Sequence, residues 1–323
     1  MIAISRRIFL GLLPAVVRPP SRAADSVAPP QWAVHHFQAH AVILLLGVPV
    51  YRRRDVGGAW FRIAESAGPG HRLVHLQFAA GSLPSRAAGL NRLGYLEEEV
   101  RIGQSDGPWA SYFGAMTASK EETYDEARKA VATQGAAAQI FVAMRGEIRR
   151  TTMRNCTANV SVEHPVGWPD VGALVSKCRD RLASLPNSEA PSQSATTFLY
   201  ALYSAMQSGK ERVTPFLHSG KQYILRARVR PDPKQGREFH RQGMAGEAAS
   251  VHLLDGQIHA ALAGGRPGPQ TSSFQLWFDQ AGADPKPLRF DLKPRAFLRL
   301  SFERQPARSA SASSGQSAGY PPA

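Results

Sequence analysis

The chain has 323 residues, of which 43% are apolar and 20% charged. This excludes a disordered chain, which combines low hydrophobicity with high charge, and the length suggests about two domains. The formal charge is +14, and 31 of the 39 basic residues are Arg. A GC-rich genome would produce the same Arg, Ala, Gly and Pro bias, so only part of this charge speaks about partners.

Near the N-terminus stands Ser5-Arg6-Arg7-Ile8-Phe9-Leu10, followed by an apolar stretch through Val17. It resembles a twin-arginine export leader, whose S-R-R-x-F-L pattern is matched at all five fixed positions, with Gly11 where Lys often follows. About ten apolar residues are half of what a bilayer crossing needs, so no transmembrane span is expected in the mature protein. Small residues around Ser21-Arg22-Ala23 suit cleavage near Ala23. The resemblance implies a partner in the export machinery, reached through Arg6 and Arg7, and a periplasmic or secreted location. Loss of residues 1–24 removes Arg6, Arg7, Arg18 and Arg22 and no acid, which lowers the charge to +10. Outside the cytoplasm nucleic acid is not an expected partner, whereas anionic lipid and acidic cell-wall polymer are. That export route carries proteins folded beforehand, often around a cofactor. The sequence has no G-x-G-x-x-G opening a helix, no G-x-x-x-x-G-K-[ST], no C-x-x-C and no S-x-x-K, and no cofactor is expected.

After a Pro-containing linker at 25–31, residues 32–165 read as a β-rich part with one helix. The apolar run 41–50 is too short to span a membrane and reads as a buried strand, ending in turn chemistry at Val56-Gly57-Gly58. Residues 71–78 alternate, with Val74, Leu76 and Phe78 on one face, as a half-buried strand does. Ser119 and Glu122 form a capping box that opens a helix ending at Gly135.

Residues 166–303 read as a helical pair followed by an antiparallel sheet. The first helix follows Pro169 and carries Val171, Leu174, Val175, Cys178, Leu182 and Leu185 in one stripe. The second covers about 194–207 and stops at Gly209. From Val213 the period returns to two: Tyr223, Leu225, Ala227 and Val229 oppose Ile224, Arg226, Arg228 and Arg230, and the same alternation recurs around Phe274, Leu288 and Leu300. The segment Trp277-Phe278-Asp279, then Pro287-Leu288-Arg289-Phe290, resembles the end of an uncharacterised family of secreted β-rich proteins and implies an open or barrel-like sheet. The expected fold class is therefore α+β, rich in antiparallel sheet, with the helical pair between two β-rich parts and both helices burying their stripes on one sheet face. Residues 304–323 read as a disordered Ser, Ala, Gly and Pro tail.

Local chemistry is sparse. Residues 103–107 match the G-x-S-x-G elbow of hydrolases, but Pro108 and Trp109 follow where a helix is required, and Asp106-Gly107 is a hairpin signal. His35, His36 and His40, with His71 and His75, invite a metal reading. Four residues along a strand cover about 13 Å, too far for one ion, so structural histidines are expected and no metal is assigned. Cys156 and Cys178 are the disulfide candidate; Cys178 on its apolar stripe also suits a small core hydrophobe. Arg52 and Arg54 beside the apolar strand, and Arg226, Arg228 and Arg230 along one strand face, are the expected anion-binding residues. A solvated strand face accounts for these rows equally simply. The functional expectation is a non-catalytic envelope protein holding an apolar or anionic ligand. Its alternative is a periplasmic hydrolase or transferase whose His, Asp and Arg come together only on folding, with catalytic residues that cannot be named.

Overall fold

A computed structural model describes residues 31–306, apart from 46–47, 69, 88, 90, 104–108, 119–138, 163–165, 193–195, 283 and 296. The expected leader, its cleavage site, most of the linker, the helix at 119–135 and the tail beyond residue 306 lie outside the described residues.

Eight strands form the first run: β1 (Ala33–Leu45), β2 (Val48–Gly68), β3 (His71–Ser82), β4 (Leu93–Ile102), β5 (Trp109–Thr117), β6 (Gln139–Arg149), β7 (Thr152–Val162) and β8 (Ser188–Pro191). Six more follow: β9 (Arg212–His218), β10 (Lys221–Pro231), β11 (Val251–Ala261), β12 (Pro267–Asp279), β13 (Lys286–Arg295) and β14 (Leu298–Arg304). All pair antiparallel in one sheet of order β8-β7-β6-β5-β4-β3-β2-β1-β14-β13-β12-β11-β10-β9. The β1–β14 pairing, with Ala39 opposite Phe302, joins the two β-rich parts into one continuous sheet.

The sheet curls until its ends overlap. At the β9–β10 turn the Gly220 N–H donates to the Tyr112 hydroxyl on β5 at 3.0 Å, and the Ser219 hydroxyl lies 2.9 Å from the Met144 sulfur on β6. Leu217 of β9 shares a buried cluster with Tyr112, Met144 and Ile148, so this end sits against the concave face of the other. Bulges sharpen the curvature, since an extra residue bends a strand and increases its twist. One lies where β2 passes His40 of β1: Asp55 adopts φ 57° and its N–H donates to His40 Nδ1 at 3.2 Å. The expected turn at Gly57-Gly58 is therefore a correction, because both glycines run inside β2, and so is the single buried strand expected at 41–50, which is divided between β1 and β2 with Leu45, Val48 and Val50 exposed. The two glycines are needed for close approach: a Cβ on Gly57 would stand 2.1 Å from the Gly81 carbonyl oxygen.

Among the described residues three α-helices accompany the sheet: α1 (Val171–Ala183), α2 (Phe198–Ser208) and α3 (Pro233–Arg241). The stripe of α1 behaves as its spacing predicts, burying Val171, Leu174, Cys178 and Leu182 against Phe141, Ala143 and Val160 on the convex face. Its partner α2 lies on the concave face, with Leu199, Leu202, Tyr203 and Met206 among Phe61, Leu76, Leu225 and Leu276. The expectation that both stripes share one sheet face is therefore corrected: the pair splits between the two faces of the curled sheet, and β8 interrupts the loop between them. Gly209 stops α2 in the left-handed conformation, φ 61°. The sequence reading missed α3, although Asp232-Pro233 is a start signal: Asp232 caps the Gln235 N–H at 3.1 Å with Pro at the first position. Phe239 of α3 packs on Leu253, Trp277 and Leu288. Leu288 is a further correction, since strict alternation in the sequence would put it on one face with Phe290 and Leu292. A bulge between Trp277 and Phe278 shifts the β12–β13 register, leaving Pro287 and Phe290 on the concave wall and Leu288 on the convex side.

Candidate functional site

The concave faces of β1, β2, β3, β4, β13 and β14 present Phe, Leu, Ile and Ala around α2, because alternation sends these residues to one side of each strand. Two cavities open along this wall, the second reaching α2 at Phe198. The first, of about 530 Å³, is lined by Ala39, Ala41, Ile43, Ala80, Leu298 and Leu300 among others, with Arg53 and Arg92 as its charged members. The second, of about 420 Å³, is lined by residues that include Leu96, Ala115, Met116, Phe216, Tyr223 and Ile258. Gly94 borders both. A tight gap of about 80 Å³ against Phe198, Leu202 and Met206 shares Phe302 with the first cavity and Phe78 with the second. His218 is the only imidazole in the second wall, and burial lowers its pKa, keeping it neutral.

The residue that holds α2 inside the curl is Glu98. It stands on the concave face of β4 between Leu96 and Val100 and is fully buried. Its carboxyl group accepts from the Thr197 hydroxyl at 2.5 Å and from the Leu199 and Tyr200 N–H groups at 2.9 Å each. The two N–H groups are donors that a helix start leaves without intrahelical partners. Desolvation pushes the Glu98 pKa up to about 7 despite these hydrogen bonds. Farther along α2, the Tyr203 hydroxyl lies 3.0 Å from the Glu65 carboxylate and accepts from the Gln207 amide at 2.9 Å. Sequence reading missed Glu98. The available signal was a carboxylate alternating with Leu96 and Val100 on an otherwise apolar strand face.

The expected site residues are dispersed. Arg52 pairs with Glu303 at 2.9 Å, and Arg54 is exposed on the same strand. Arg226, Arg228 and Arg230 do share an exposed face of β10, six strand positions away in the sheet order. Arg228 pairs with Glu211 at 3.6 Å and Arg230 with Asp255 at 3.3 Å. Arg226 and Arg228 border a mixed-charge cleft of about 570 Å³ that also contains Asp255, Asp291 and Lys293. Cys156 and Cys178 are both free thiols within one buried cluster, and burial pushes the Cys178 thiol up to about 11.

His, Asp and Arg meet most densely on the strands around β14. The buried Asp291 takes two 2.8 Å hydrogen bonds from Arg289 and one of 2.7 Å from the Ser301 hydroxyl. Glu303 lies 3.6 Å from His40, and its pKa is held down to about 2, chiefly by that histidine and by Arg52 and Arg289. His35 and His36 are kept toward the neutral form by burial, His35 down to about 4, and His75 lies 3.4 Å from Glu99. Among the described residues no group of three or more His, Cys, Asp or Glu side chains is arranged to hold a metal ion, and no helix is long and apolar enough to cross a membrane.

No protein-family model and no curated protein sequence matches the chain. Among solved structures, the chain is similar to a beta-barrel-like protein of the domain of unknown function DUF1849 from Brucella abortus, with a TM-score of 0.41 and 7% identity over 87% of this chain and 98% of that one.

Proposed function

We propose that the protein is an exported bacterial envelope factor that binds an amphipathic ligand, holding its apolar tail in the lumen around α2 and its anionic group at the rim by Arg53 and Arg92. The observation that carries this reading is the pair of cavities of about 530 and 420 Å³, whose lining surface is mostly apolar. Water in such a space gains few hydrogen bonds, so an acyl chain that displaces it is favoured by about 0.8 kcal/mol per methylene buried. The two Arg are the charged groups of the first cavity, and a guanidinium recognises carboxylate or phosphate by paired hydrogen bonds. Export rests on the twin-arginine pattern at Arg6 and Arg7; changing both to Lys is expected to hold the precursor in the cytoplasm, and normal export of that variant would end this part of the reading.

Gly94 provides the binding test. It borders both cavities, and a Cβ built there meets no atom within 4 Å, so Gly94→Phe can enter the lumen without disturbing the fold. Excluding even two methylenes of a bound chain costs about 1.6 kcal/mol, roughly tenfold in affinity. The protein should bind a fluorescent long-chain fatty acid, and Gly94→Phe should bind it at least tenfold more weakly with an unchanged melting temperature. Absence of binding by the unaltered protein, with no lipid released from it in native mass spectrometry, would contradict the proposal.

A further inference from the structure

Where β1 passes into β2 the sheet carries its most exposed apolar residues. Leu45 is 64% exposed, Val48 61%, Val50 56% and Tyr51 60%. Leu45 pairs with Val48, and Tyr51 with Ile43, so these side chains crowd the end of one hairpin. Phe297, 52% exposed, joins them from the β13–β14 turn, where its carbonyl accepts the Leu44 N–H at 2.8 Å. Apolar side chains scattered singly over a surface are ordinary, but a contiguous cluster at a projecting end marks an interaction site.

Directly behind this end comes Arg52-Arg53-Arg54. Arg52 is engaged by Glu303, and the nearby Asp55 is engaged by Arg86 at 3.3 Å. Arg53 and Arg54 have no acidic partner among the described residues, which leaves them available to an external anion. The spacing is informative. From Val48 to Tyr51 a strand advances about 10 Å, and the Arg collar begins about 3 Å farther on. A hydrocarbon leaflet is about 15 Å deep with its anionic headgroups just outside, so an apolar hairpin end of this length places the guanidinium groups at headgroup level. The same hairpin forms part of the lumen: Ile43, Tyr51 and Arg53 belong to the wall of the first cavity.

We infer that the β1–β2 hairpin end, with Phe297, docks the protein on an anionic membrane surface, inserting Leu45, Val48, Val50 and Tyr51 into the acyl region while Arg53 and Arg54 engage phosphate groups. The surface stands on residues largely outside the lumen. If the lumen reading also holds, docking brings the first cavity against the bilayer, giving an amphipathic molecule a path between membrane and protein that bypasses water.

The experiment is cosedimentation of the full chain with vesicles of phosphatidylglycerol and phosphatidylcholine in equal parts, and with phosphatidylcholine alone. Binding to the anionic vesicles should weaken as salt rises from 0.05 to 0.5 M. Leu45→Ser, Val48→Ser and Val50→Ser together should reduce it about a hundredfold. Arg53→Gln with Arg54→Gln should reduce it about thirtyfold and remove the preference for the anionic lipid. All five positions are exposed, so both variants should keep the melting temperature of the unaltered protein. Gly94→Phe should bind vesicles normally, so vesicle binding without fatty-acid binding overturns the lumen reading alone, and the reverse overturns this one alone. The docking surface is also overturned if the hairpin variant binds vesicles as the unaltered protein does. A dimer that the hairpin variant dissolves, with no vesicle binding by either protein, would assign the surface to a second copy of the chain and overturn it too.

Discussion

Replacing Glu98 with alanine is expected to destabilise the protein by about 3 kcal/mol at pH 5, a fall of roughly 6–10 °C in melting temperature for a domain of this size. The reason lies in what the carboxyl group satisfies. The Leu199 and Tyr200 N–H groups and the Thr197 hydroxyl all donate to it, and Glu98 and Thr197 are buried, so solvent reaches these donors poorly once the acceptor is lost. A buried donor left without a partner costs about 1–3 kcal/mol, and here three are orphaned together. The loss should concentrate on α2, so amide exchange should accelerate first across residues 198–208. Glu98→Gln keeps a carbonyl acceptor and should retain most of the stability.

The same residue makes stability depend on pH in a defined direction. Its folded pKa of about 7 lies above the ordinary 4.5. Below about pH 4.5 the folded and unfolded chains both carry the proton, and between 4.5 and 7 the folded chain holds more of it. Stability therefore falls as pH rises through that window and levels off above it. Thermal melts at pH 5 and pH 8 should show this decline, and Glu98→Gln, which has no proton to lose, should flatten it. An equal decline in both proteins would remove Glu98 as its source.

Asp291→Ala should be equally severe, about 3 kcal/mol, for an electrostatic reason. Arg289 grips that carboxylate through two 2.8 Å hydrogen bonds and lies over the Trp277 ring, 5.1 Å from its centroid. Its side chain is 19% exposed and that of Asp291 3%. Losing the carboxylate leaves a guanidinium that water reaches poorly, and breaking a buried pair from one side typically costs about 3–5 kcal/mol. Replacing both partners with apolar residues, Arg289→Met and Asp291→Leu, should recover part of the loss, since the two charges of that pair are gone while Ser301 still loses its acceptor, Arg299 its carboxylate partner and Glu303 one of its cations. Denaturant midpoints of the single and double variants test this, and a double variant no more stable than Asp291→Ala would show that the pair does more than neutralise itself.

The period-two alternation of Val74, Leu76 and Phe78, and of Leu225 and Ala227 against Arg226 and Arg228, is written into the sequence because neighbouring side chains of a strand must point to opposite sides. The stripe of α1 and the glycine stop of α2 are legible for the same reason: each depends on residues within a few turns of one another. These local rules were enough to specify an α+β chain dominated by antiparallel sheet. They could not show that Gly57 and Gly58 run inside a strand, because a glycine pair reads as a turn until β3 is seen approaching within the space a Cβ would fill. Nor could they place Leu288, whose face depends on a bulge in the facing strand. That α1 packs outside the sheet and α2 inside was decided by tertiary structure alone. Both helices carry apolar stripes, and only the pairing of β1 with β14, more than 250 residues apart, creates the curl with an inside. Glu98 follows from that decision: on an isolated strand it is one acid in a run of three, and it becomes the anchor of a buried helix only when the far end of the chain closes around it.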